Sequence, residues 1–76
     1  MKRLADIPVG GVGVVRYAEG GLSGRLYDLG FNRGAEVKCL FAAPGRGMRA
    51  YLARGAVIAL RERDARGVVM EDSEHA

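Results

Sequence analysis

Twelve glycines fall between short β-branched runs along 76 residues, and that spacing constrains the chain more than any other feature. Glycine reaches positive φ without steric cost, so the pattern describes a compact all-β domain with many tight turns. A chain this short holds one domain, because a second core would leave each half too small to offset its chain entropy. The expectation is a single domain over 1–76, its core spanning about 4–71 and an acidic tail at 72–76.

Hydrophobic residues at 49% and charged residues at 28% match globular usage and exclude a disordered chain. With one cysteine, Cys39, no internal disulfide can form, which favours a reducing compartment. The opening Met1-Lys2-Arg3-Leu4-Ala5-Asp6-Ile7-Pro8 lacks the apolar stretch of a signal peptide. No segment approaches the ~20 apolar residues that cross a bilayer. A cytoplasmic protein that does not span the membrane is expected.

Read along the chain, Leu4 to Gly10 is a loop or edge piece, since Pro8 cannot donate to a ladder. A first strand runs from Val12 to Tyr17, apolar on both faces and therefore central or curved. Leu22, Leu26 and Leu29 follow i, i+4, i+7 spacing and predict one short helix packed by that face. Gly30 then sits where a left-handed residue ends a helix, with Phe31 folding back onto Leu26. Arg25 and Asp28, at i, i+3, are placed to pair on the surface.

Ala35 to Phe41 alternates with Ala35, Val37, Cys39 and Phe41 inward, and predicts a second strand. Pro44-Gly45-Arg46-Gly47 turns into a third, with Met48, Ala50 and Leu52 on one face. Ala56 to Arg61 is nearly all apolar and suits a strand buried on both sides. Glu62 to Arg66 predicts a helical turn, and Gly67 to Glu71 a last strand. The fold class is thus mainly β: a small SH3-like five-stranded barrel with one short α-helix between strands 1 and 2 and a helical turn before the last strand.

These residues carry a resemblance. Leu4-Ala5-Asp6 with Gly10, Arg25-Leu26-Tyr27-Asp28-Leu29-Gly30 with Gly34, Ala43-Pro44, and Ile58-Ala59-Leu60-Arg61 with Ala65 and Val69 together resemble the FeoA family and the related C-terminal barrel of iron-dependent repressors. Arg33 stands where that family often has Pro, and Arg46-Gly47-Met48 replaces a frequent Gly-Asp-Pro turn. The resemblance implies a small cytosolic accessory of the ferrous-iron transporter FeoB, whose soluble part is a GTP-binding domain, and a family-level link to transition-metal ions.

For chemistry the sequence offers little. His75, beside Glu74 in the acidic tail, could join Glu71 and Asp72 in a weak, opportunistic metal site, but a structural site needs about four well-placed ligands, and a solvated tail is expected. Cys39 sits on an inward strand face with no neighbouring His to activate it. Gly10-Gly11-Val12-Gly13 has the wrong spacing for a phosphate loop. No catalytic residue, metal ligand or cofactor is assigned, and the chain is read as a binding module instead of an enzyme. A helix across the mouth of a small barrel leaves a rim exposed, and Leu22, Arg25, Leu26 and Tyr27 are the candidate partner-binding residues.

Charge supplies the competing reading. Without Glu71, Asp72 and Glu74, residues 1–70 hold 12 basic side chains against 6 acidic ones. A basic barrel binding nucleic acid through Tyr17, Tyr51, Arg16 and Arg49 is the alternative. The arginines are dispersed, though, where backbone tracking needs a continuous stripe, so no nucleic-acid partner is expected. A detached repressor-type barrel is a third reading, and self-association through edge strands is open.

Overall fold

The computed structural model describes residues 2–21, 23–45 and 47–71. Leu22, Arg46 and the tail from Asp72 to Ala76, with His75, lie outside them. Among the described residues five antiparallel strands form one sheet, in the order β4-β3-β2-β1-β5. They are β1 (Val12–Ala18), β2 (Glu36–Ala42), β3 (Met48–Ala53), β4 (Ala56–Arg61) and β5 (Val68–Met70). Helix α1 (Ser23–Leu29) joins β1 to β2, and the single turn α2 (Glu62–Ala65) joins β4 to β5. A 3₁₀ turn at Leu4–Asp6 stands where a plain loop was expected. The Asp6 carboxylate accepts from the Arg3 backbone N–H at 3.0 Å and closes that turn.

The sheet curls because β1 changes partner along its length. Val12 to Val14 pair with β2, whereas Val15, Tyr17 and Ala18 pair with β5 across a register shift. The expected central, curved first strand is therefore present, and its bulge supplies the bend. At Gly13 the curl brings layers so close that a Cβ would stand 2.7 Å from Ile7 Cδ1 and 3.0 Å from Met70 Cε.

Inside lie Leu4, Val15, Phe31, Val37, Tyr51 and Met70, all essentially without exposure. Phe31 and Tyr51 meet edge to face, their ring centroids 6.3 Å apart. Such a pair adds about 0.5–1.5 kcal/mol beyond its area burial. It compensates for the lack of Trp.

Three expectations about facing are corrected. Cys39 opposes Tyr51, but the next pair is Phe41 with Ala50, so β2 spends two residues where β3 spends one. That bulge turns Phe41 outward, to 57% exposure, against the alternation that placed it inside. On β3 the core face carries Tyr51 and Ala53, and of the face expected to be shared by Met48, Ala50 and Leu52 only Ala50 is buried, while Met48 and Leu52 stay exposed. Tyr51 is hence a core residue and not a stacking platform. Lastly, β4 ends the sheet and is mostly exposed, with Val57 at 65%, where burial on both sides was expected.

Candidate functional site

Helix α1 is a short rod held to the barrel. In its second turn the Tyr27 hydroxyl accepts from the Ala18 backbone N–H at 3.3 Å and lies 3.4 Å from the Ala18 carbonyl, at the end of β1. At its finish Gly30 has φ +112°, the Phe31 N–H donates to the Leu26 carbonyl at 2.9 Å, and the Gly30 N–H donates to Tyr27 at 3.1 Å. This is the double hydrogen bond of a Schellman ending, as expected from Gly30 and Phe31. The Arg54 side chain lies where a Gly30 Cβ would point, 3.4 Å away, and Arg54 donates to Asn32 Oδ1 at 2.9 Å. The β3–β4 turn thereby locks against the helix end.

Of the sequence-predicted contact residues, Leu26 is a core side chain that pins α1 to the barrel, whereas Arg25 and Tyr27 are exposed. Leu22 lies outside the described residues. Leu29, expected to pack, is 38% exposed, and the expected Arg25–Asp28 pair does not form. Of the two described leucines of this two-turn helix, Leu26 alone is buried.

Between α1 and the ends of β3 and β4 runs a groove of about 240 Å³. Leu26, Leu29, Met48, Ala59 and Leu60 make its apolar lining. Arg25, Arg61 and Asp64 complete it with charge. Its volume is below the roughly 300–1,000 Å³ of small-molecule pockets, so it suits a protruding side chain better than a metabolite. Leu29, Met48 and Arg61 escaped the sequence reading because helical spacing and strand alternation assigned them to other faces. The signal that could have found them is the short helix itself, which has too few turns to bury every leucine.

On the opposite side, Arg49 forms the most connected polar cluster. Its Nη2 donates to the Ile7 carbonyl at 2.6 Å and approaches Cys39 Sγ at 3.5 Å, while Nε donates to Tyr51 Oη at 2.9 Å. Burial pushes the Tyr51 phenol above its ordinary value, with Arg49 opposing. For Arg49 burial acts downward, but the Tyr51 and Cys39 contacts outweigh it and the guanidinium is held above its ordinary value. Among the described residues no three His, Cys, Asp or Glu side chains gather where they could hold a metal ion, and no helix is long and apolar enough to cross a membrane.

The model of the FeoA domain matches residues 2–72. FeoA of Stenotrophomonas maltophilia, solved with zinc and described as a prokaryotic SH3 domain protein, aligns with a TM-score of 0.85 at 25% identity, covering 96% of this chain and 93% of its own. FeoA of Chlorobium tepidum aligns at 0.83 with 28% identity, covering 91% of this chain and 68% of its own. A manganese-dependent transcriptional repressor shares the fold at 0.77 and 16% identity, covering 88% of this chain and 39% of its own. The barrel is thus of the SH3-like kind expected. No curated protein is significantly similar to the chain.

Proposed function

The chain belongs to the FeoA domain family, associated with ferrous iron transport, and on that footing we propose that it is a small cytosolic accessory protein of a bacterial iron(II) uptake system. It acts by docking on the cytosolic part of a FeoB-like transporter, with α1 and its groove as the contact surface. The observation that carries this reading is the exposed Leu29 and Met48 beside a groove already lined by Leu26, Ala59 and Leu60, with Arg25 at the margin. An apolar centre with an arginine rim is the composition of a protein interface. The Stenotrophomonas protein, offered as a candidate activating factor of bacterial ferrous iron transport, lends the same direction.

The test is co-purification of the full chain with the FeoB encoded in the same genome, alongside iron(II) uptake by cells lacking this gene. Binding by the wild-type chain, and uptake restored by it but not by Leu29→Gln, is expected. Restoration of uptake by a chain that never associates with the transporter would overturn the docking role.

A further inference from the structure

The α1 groove adjoins a second concavity. A cleft of about 460 Å³ opens between the β2–β3 turn and α2, lined by Arg61, Arg63 and Arg66 with Gly45, Gly47 and Glu62. Arg61 lines both, so the apolar groove and the arginine cleft are neighbours that share one side chain. We propose that the two form one composite site for an extended segment of a partner protein in which an apolar side chain is followed closely by carboxylates. The inference deepens the docking reading and rests on it.

Charge decides the occupant. The cleft sets three arginines against one carboxylate, and Arg66 already engages that carboxylate at 3.4 Å. From Val37 to Arg61 the chain contains no Asp or Glu, so β3, β4 and all of β2 beyond its first residue, Glu36, carry only positive charge. Arginine's planar fork matches carboxylate oxygens two at a time, which turns this surplus into directional contacts. A nucleic acid would also meet the arginines, but it would leave Leu29 and Met48 in water and find no aromatic ring in the cleft lining on which to stack. An apolar residue in the groove followed by acids in the cleft satisfies both halves.

The test is fluorescence anisotropy of the full chain with three labelled peptides: a leucine followed by two glutamates, the same with two lysines, and the glutamates without the leucine. The first should bind about tenfold more tightly than either control, and Arg61→Glu or Arg63→Glu should each lower its affinity about tenfold, with circular dichroism confirming the fold. Arg16→Glu, on β1, should leave it unchanged. Equal binding of the lysine peptide, preference for a single-stranded oligonucleotide, or no peptide binding at millimolar concentration overturns the proposal.

The transporter forms the last arm. FeoB that binds wild type and Arg61→Glu equally overturns the composite site and leaves the docking reading standing. FeoB that binds neither, with the peptide preference intact, overturns the docking reading and leaves the site standing.

Discussion

Arg49 holds Ile7 to the barrel: its Nη2 donates to the Ile7 carbonyl at 2.6 Å, with Tyr51 and Cys39 contacted by the same guanidinium. One side chain on β3 thus ties together the N-terminal segment, β2 and the centre of the core. Arg49→Met keeps the stem and removes the donors, so it should cost about 1–3 kcal/mol in denaturant unfolding, because the part-buried Ile7 carbonyl loses its Arg49 donor and the Tyr51 phenol is left with only the Leu4 carbonyl, 3.5 Å away. Hydrogen exchange at Gly10 and Gly11 should accelerate with it, since the Gly10 N–H donates to the Cys39 carbonyl and the Gly11 N–H to the Pro8 carbonyl, within the segment that Arg49 anchors.

The buried Tyr51 phenol makes stability fall at alkaline pH. Its folded pKa is raised above the ordinary value of about 10, chiefly by burial, so the unfolded chain ionises first. The stability contributed by the neutral phenol is fully present below about pH 10 and is lost as pH rises from there through the folded value. Thermal unfolding from neutral to strongly alkaline pH should show this decline in the wild type. Tyr51→Phe, weaker at neutral pH by about 0.5–1.5 kcal/mol for its lost hydrogen bond, should show a shallower alkaline decline.

Two glycines are held by different constraints and should respond to different substitutions. At Gly30, φ +112° strains any residue that carries a Cβ, although the Arg54 side chain leaves it ordinary contact distance, and Gly30→Ala should cost roughly 1 kcal/mol or more. At Gly13 the backbone is unremarkable but a Cβ meets Ile7 and Met70, so Gly13→Ala should cost about 1–3 kcal/mol by overpacking. Pairing it with Ile7→Val, which shortens the clashing side chain, should recover part of that loss. Chemical denaturation of the three chains measures it.

Neighbouring leucines on α1 should separate stability from binding. Leu26→Ala removes a fully packed anchor and should cost about 2–5 kcal/mol. Leu29→Ala, starting from 38% exposure, should change unfolding by little while weakening transporter binding.

Much of this fold was legible because its punctuation is local. Gly30 and Phe31 set the helix ending by conformation alone, and the run from Glu62 to Arg66 could form only a turn in the space available. Facing was harder. Alternation gives a strand's phase but not which face is inside when both are apolar, and on β3 the hydrogen bonds of Arg49 favour Tyr51 over Met48 and Leu52. Phe41 could not be placed from sequence, because a single bulge residue after Cys39 reverses every side chain beyond it. The run Ala56 to Arg61 reads as buried, yet its small residues lie at a sheet edge. Of the residues expected at the rim, Arg25 and Leu26 line the groove and Tyr27 is exposed outside its lining, whereas Leu29, Met48 and Arg61 meet only once β3 and β4 fold beside the helix.

The most direct measurement of the docking account is an NMR footprint: amide signals of the isotope-labelled full chain titrated with detergent-solubilised FeoB. Signals of Arg25, Leu29, Met48, Ala59 and Arg61 should broaden or shift first, marking the groove beside α1. A footprint confined to the exposed outer row of Val12, Lys38, Leu52 and Val57, or none at all, would contradict it.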